Sequence, residues 1–374
     1  MTSVCLAANT LYYPEGGGHR WVYLQWALGL VEAGCRVVWL ENVSVDTPAA
    51  DVARLVQALR ADLAPFGLAD AVALAPYADH DVEFADVIAL EEAAGVDLLV
   101  NLTYGMNPWA VRRFPRSALV DIDPGLLQVW MSRGEMTVAP HDLWFTTGET
   151  VVCGDGPIPS SGHRWQYVAP PVSLNAWPAV SSPARADEVP YTTVTHWWDR
   201  EMIWDGRSQD NSKRVSFLEY IDLPRQASVP LELTVDVPDD DEDVALLRAH
   251  GWRVRHAAGV ADSPRAYQAY ITSSRGEFSC AKPSCLWLAN AWVSDRTLCY
   301  LATGRPAVVQ HTGPSRMLPD RAGLLRFRTP AEAAELLAAV EADYERHCRE
   351  ARALVECHFD ARASAASVLE RALA

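Results

Sequence analysis

The alternation of apolar and polar positions organises this chain before any motif does. Residues 4–8 form a short apolar run, Gly16-Gly17-Gly18 interrupts it, residues 21–32 carry apolar positions at helical spacing, and residues 35–40 are rich in β-formers. That order predicts a strand, a glycine loop, a helix and a second strand, which is a βαβ unit with a parallel sheet. Apolar runs at 96–102, 118–122 and 143–147 are separated by stretches long enough for crossovers and extend the same sheet.

A second series of strand-like runs occupies 191–195, 216–220, 231–235, 252–256, 269–272 and 307–310, with helical spacing at 242–250 and 296–302. The tail, 331–374, is built of Ala, Leu, Glu and Arg at helical spacing, with a break near His358-Phe359-Asp360. Between the two series lies the polar, proline-bearing stretch 181–187, where we expect the domain boundary. The expected division is therefore 1–180, 181–357 and a terminal helical piece, 358–374, in an α/β architecture.

Length agrees with that division, because 374 residues exceed the size at which one hydrophobic core stops growing. A hydrophobic content of 49% is enough to bury a core in each half and excludes disorder as the default. The formal charge of −16 opposes a general affinity for nucleic-acid phosphate or anionic lipid, so no nucleic-acid or membrane partner is expected. The eight cysteines include no Cys-x-x-Cys pair, and no uncharged apolar run reaches about 18 residues. These features suit a soluble, cytoplasmic protein with reduced thiols. The acidic run 239–243 precedes a helix and suits its N-terminal dipole better than a cation.

The most informative chemistry lies in Ser273-Ser274-Arg275-Gly276-Glu277-Phe278-Ser279-Cys280-Ala281-Lys282 and in Ser294-Asp295-Arg296-Thr297, which runs on to Gly304-Arg305-Pro306. Ser294 or Asp295 can cap a helix whose first N–H groups and positive dipole end face a diphosphate, with Arg296 and Thr297 adding charge and hydroxyl contacts. These segments resemble a group of bacterial glycosyltransferases with the GT-B fold. Gly17-Gly18-His19, Asn211-x-Lys213, Asp222-Leu223-Pro224, Gly251-Trp252, Gln310-x-Thr312-Gly313 and Gly323-Leu324-Leu325 extend the likeness along the chain. The resemblance implies two Rossmann-like domains facing across a cleft and a C-terminal helix that crosses back to the N-terminal domain. It also implies nucleotide-sugar binding in the second domain, no metal, and no cofactor beyond the nucleotide-diphosphate sugar as co-substrate.

Further candidates follow from that frame. Arg207 and Lys213 look like a cation pair for the donor's diphosphate, though the six-residue spacing, with Asp210 between, also suits an ordinary charged loop. Gly17 and Gly18 allow close backbone approach to the donor, and His19 is the candidate base for the acceptor's proton; its plain alternative is a capping or packing role. Ser274, Arg275, Glu277, Lys282, Ser294, Asp295, Arg296 and Thr297 complete the expected donor site, with Glu277 either holding a sugar hydroxyl or capping a helix. Asp123, Trp109 and Trp130 are expected to line a site for a small-molecule acceptor.

Several alternatives remain open at this level. Asp121-Ile122-Asp123 has the form of a metal-binding Asp-x-Asp, but the two-domain layout argues against that class. Trp197, Trp198 and Trp204 stack on a sugar or base, or pack a core. His19 points to inversion and the Arg207 and Lys213 pair to retention, so stereochemistry is open, as is oligomeric state. A nucleotide-sugar 2-epimerase and a catalytically silent GT-B partner protein are the rival functions.

Overall fold

The computed structural model describes residues 1–374 apart from 155, 182–187, 319 and 321–322. The chain forms two compact units, Met1–Ser173 with Phe359–Ala374, and Leu174–His358. Most of the stretch expected to hold the boundary, 182–187, lies outside the described residues.

The first unit contains β1 (Ser3–Ala8), β2 (Arg36–Val43), β3 (Val72–Pro76), β4 (Leu98–Asn101), β5 (Ser117–Asp121), β6 (Leu143–Thr146) and β7 (Trp165–Tyr167). They form one sheet in the order β3-β2-β1-β4-β5-β6-β7, and every pairing is parallel. Parallel strands must be covered on both faces, which is why they read as nearly continuous apolar runs. β3 is such a run, buried throughout, yet too short to stand out by periodicity.

The second unit contains β8 (Tyr191–Thr195), the hairpin β9 (Met202–Trp204) and β10 (Arg207–Gln209), then β11 (Leu231–Val235), β12 (Arg253–His256), β13 (Gly276–Ser279), β14 (Ala307–Gln310) and β15 (Leu324–Phe327). Its main sheet runs β12-β11-β8-β13-β14-β15, again wholly parallel. Its core centres on Phe278, stacked on Phe327 at 5.2 Å and set against Phe217 and Tyr220.

Two expected strands are helical. Residues 216–220 fall largely in the helix Lys213–Glu219, where Lys213, Ser216 and Phe217 share the buried face. Residues 269–272 belong to the helix Pro264–Ser273, capped by Ser263, whose Oγ accepts the Ala266 N–H. Pro264, Tyr267, Tyr270 and Ile271 are its buried residues, a spacing of three and four that a four-residue window cannot distinguish from a strand. Trp204 lies in the β9–β10 hairpin rather than in an open loop and stacks on Trp287 at 5.9 Å.

The tail divides into the helices Pro330–Ala342, Tyr344–His358 and Ala361–Ala372. The last returns to the first unit and packs along the helix Gly17–Glu32. Phe359 O accepts the Val172 N–H at 2.8 Å and Val172 O accepts the Ala361 N–H at 3.0 Å, which fixes where the return begins.

In each sheet the order reverses once, between β1 and β4 and between β8 and β13. Open parallel sheets bind ligands outside the carboxyl ends of the strands at such points.

Candidate functional site

In the second unit an open pocket lies at the carboxyl ends of β13 and β14, beside that reversal. Its walls are Ser279, Cys280 and Ala281 after β13, Val309, Gln310 and Thr312 at the end of β14, and Trp292 to Ser294 with Arg296 and Thr297 at the start of the helix Asp295–Ala302. Local chemistry sets that helix start. Ser294 has an extended backbone, and its Oγ accepts the Arg296 N–H at 3.3 Å, as an N-cap should. First-turn N–H groups have no intrahelical acceptor, so the helix presents partial positive charge where the strands end. Gln310 Oε1 accepts the Ala281 N–H and Thr312 Oγ1 donates to Trp292 O, which tie the surrounding turns together.

Arg296 is a strut as well as a wall. Its Nε donates to Glu277 Oε1 at 2.7 Å, one terminal nitrogen to Val194 O at 2.9 Å and the other to Ser279 Oγ at 2.6 Å. Burial alone would lower the guanidinium's pKa, but the adjoining Glu277 carboxylate together with Tyr267 and Tyr300 more than reverses this and keeps it charged. Arg296 thus holds β8, β13 and the helix start in register while it lines the pocket.

Lys213 is the unusual group. Only 6% exposed, it has no hydrogen-bond partner on Nζ, which lies 5.8 Å from the ring centre of the pocket residue Trp292. Burial first, then the field of Arg296, pulls its ammonium down to about 7. Glu277 Oε2, wholly buried, also lacks a partner. Arg207 does not share this environment: it is exposed on the β9–β10 hairpin, and the guanidinium whose field reaches Lys213 is that of Arg296. Lys282, half-buried, forms an ion pair with Asp199.

Ser274 and Arg275 sit elsewhere. Both precede β13, at the end opposite Ser279, and a strand of this length separates its ends by about 10 Å. Ser274 Oγ meets Thr192 Oγ1 at 2.6 Å and donates to Tyr270 O. Arg275 pairs with Glu341 at 2.8 Å and lies 3.3 Å over the Tyr344 ring. They brace the strand's entry, because a cation flanked by a carboxylate and an aromatic face is already satisfied.

In the first unit, Gly17 and Gly18 open the helix Gly17–Glu32. His19 Nε2 lies 2.7 Å from Asn9 O, which requires that nitrogen to carry the proton and leaves Nδ1 with the lone pair in the neutral ring. Tyr13 and Tyr23 hold the ring edge-on at 5.8 and 5.3 Å.

Asp121, at the end of β5, accepts from Tyr104 Oη and the Asp123 N–H on one oxygen, and from Gln128 Nε2 and Thr146 Oγ1 on the other. Burial nevertheless pushes its pKa up to about 6. Both oxygens are thus engaged by protein donors, and among the described residues no group of three or more His, Cys, Asp or Glu side chains is arranged to hold a metal ion. Asp123 is exposed and accepts from Tyr104 Oη at 3.2 Å. Trp109 packs partly on the core beside Leu90 and Met106, with Arg113 over its ring at 4.2 Å, and Trp130 packs beside Leu119 and Leu127.

The sequence reading missed Ser279, Trp292 and Thr312 as pocket walls. Ser279 and Thr312 lie within motifs that carry the resemblance, and Trp292 lies two residues before the capping serine.

No family model matches the chain, and no curated protein sequence matches it. Solved structures do. Sucrose-phosphate synthase from Thermosynechococcus elongatus aligns over 100% of this chain and 99% of its own, with a TM-score of 0.57 and 13% identity. AviGT4, a glycosyltransferase involved in avilamycin A biosynthesis, aligns over 100% and 97%, with a TM-score of 0.57 and 13% identity. An α-glucosyltransferase in complex with UDP-glucose and DNA aligns over 100% and 99%, with a TM-score of 0.56 and 10% identity. At such identities the likeness is one of architecture, and with the two parallel sheets it establishes that this chain has the GT-B fold of the glycosyltransferases.

Proposed function

We propose that the protein is a metal-independent glycosyltransferase that takes a sugar from a nucleotide-diphosphate donor, with UDP-sugars first among the candidates, and passes it to a small-molecule acceptor. The observation that carries this reading is the pocket at the carboxyl ends of β13 and β14, where a capped helix begins and behind whose wall residue Trp292 lies the unpartnered Lys213 Nζ, 5.8 Å from the ring centre. A pyrophosphate matches both: backbone N–H groups donate to its oxygens, and a buried cation without a counter-ion gains one. UDP in structural neighbours such as HepE of Anabaena, solved with UDP and glucose, makes uridine the first nucleotide to test.

In the transfer, the acceptor oxygen bonds to the anomeric carbon while the bond from that carbon to the β-phosphate oxygen breaks, and its electron pair leaves on the nucleoside diphosphate. Lys213 and the helix start counter the charge that grows there. The acceptor's proton goes to His19 Nδ1, the lone-pair nitrogen in the tautomer that Asn9 O selects. A polyanionic acceptor is disfavoured by the net charge of −16. All eight cysteines are free thiols, and we assign the protein to the cytoplasm.

The test is donor turnover, followed as UDP release from UDP-glucose and related sugars, with and without His19→Ala. We expect the variant to bind UDP as the parent does and to lose about 100-fold or more in turnover. Turnover unchanged in His19→Ala would overturn the assigned base, and failure of every nucleoside diphosphate to bind would overturn the donor site.

A further inference from the structure

We propose that Asp121 and Asp123 share one proton through the phenol of Tyr104, and that this proton latches the turn 122–125 at the carboxyl end of β5, closing it in mildly acidic solution and releasing it towards neutrality. The latch lies in the first unit and is independent of the donor reading.

The number of hydrogens carries the inference. Tyr104 Oη lies 3.1 Å from Asp121 Oδ1 and 3.2 Å from Asp123 Oδ2, yet a phenol has one hydrogen to give. With both carboxyls ionised, that hydrogen serves one of them and leaves lone pairs facing each other at the second contact. One more proton removes the conflict. Placed on Asp123, it donates to Tyr104 Oη, whose own hydrogen goes to Asp121; moved inward, it sits on Asp121, and the phenol hydrogen turns to Asp123. Only O–H bonds form and break, so the two carboxyls titrate as a pair.

The main chain leaves room for that proton. Tyr104 Oη accepts the N–H groups of Ile122 at 3.0 Å and Asp123 at 2.9 Å, which use both of its lone pairs. The Asp123 N–H has a second acceptor, Asp121 Oδ1 at 3.0 Å, and by turning to it frees a lone pair on the phenol. The frame around the pair is fixed: Thr147 donates to Asp121 O from its N–H at 3.0 Å and its Oγ1 at 3.2 Å, and the Gly125 N–H donates to Gln128 Oε1 at 2.6 Å. Exposed Asp123 is therefore the moving part.

The surroundings favour sharing over two charges. Asp121 is wholly buried, and its donors are all neutral: the Tyr104 hydroxyl, the Asp123 N–H, Gln128 Nε2 at 2.9 Å and Thr146 Oγ1 at 2.8 Å. Burial first, with the field of the Asp123 carboxylate, raises Asp121 from 3.8 to about 6 against the pull of Gln128 and Thr146. Burial, then the fields of Asp123 and Asp121, raises Tyr104 well above the usual phenol range, so it stays a donor. The folded chain thus holds a proton between 3.8 and about 6 that the unfolded chain gives up. Its stabilisation is complete below that window and is lost as pH rises through it.

The experiment is hydrogen exchange on the full chain, read by mass spectrometry on peptides spanning 119–125 at pH 5 and pH 7.5 and corrected for the intrinsic pH dependence of exchange. We expect protection in the parent to fall about tenfold or more between the two conditions. In Asp123→Asn, whose amide donates to Tyr104 at either pH, protection should stay at its acid level; in Tyr104→Phe it should be low at both. Because Asp123 is exposed, Asp123→Asn carries the test if Tyr104→Phe does not fold. Protection in the parent that does not change with pH would overturn the latch. The same change in the parent and in Asp123→Asn would overturn the sharing, since Asp121 would then titrate alone.

Discussion

At the scale of single residues, Lys213 concentrates the account. Its folded value of about 7 lies below the 10.5 of free lysine, so between those values the unfolded chain holds the extra proton and stability rises with pH across that window. Lys213→Met should flatten this rise, as read by urea unfolding between pH 7 and pH 10. A diphosphate reverses the balance, because it stabilises the ammonium. UDP binding at pH 8 should therefore take up close to one proton, measured by calorimetry in buffers of different ionisation enthalpy, and Lys213→Met should abolish the uptake. The same variant should weaken UDP by about tenfold to a hundredfold, the loss of one charged hydrogen bond of about 1.5–3 kcal/mol. Glu277 belongs to stability instead. Glu277→Gln leaves the buried Arg296 without its counter-ion and should cost about 3–5 kcal/mol in urea denaturation.

Elements show why parts of the site were readable from sequence and others were not. The helix Asp295–Ala302 could be placed from Ser294, Gly304 and Pro306, because caps and breakers act locally. Ser294→Ala removes that cap and should lower stability by about 1 kcal/mol while weakening UDP. Arg275 and Ser274 were misjudged because a motif is linear while a strand has two ends. Only pairing with Glu341 and Tyr344, far along the chain, reveals that the motif straddles β13. The returning C-terminal helix makes a separate prediction. A Cβ on Gly29 would lie 2.4 Å from Ala361 O, a backbone atom that cannot rotate away. The helix-propensity gain of Gly29→Ala is about 1 kcal/mol, and the displaced contact should outweigh it. We expect a lower denaturation midpoint and earlier proteolytic release of the last helix; a midpoint equal to or above the parent's would contradict the packing.

Across the whole molecule, the alternation of strands and helices was enough to read two parallel-sheet units, since that pattern admits few other architectures. In the second unit, Lys213 Nζ, buried and without a hydrogen-bond partner, lies against the pocket residue Trp292. The central claim is that the second unit grips a diphosphate at the start of the helix Asp295–Ala302. It is tested most directly by calorimetric titration of UDP into the parent protein and into Lys213→Met. The account predicts micromolar binding in the parent, a loss of about tenfold or more in the variant, and proton uptake in the parent alone. Equal affinity in the two proteins, or no affinity in either, would contradict it.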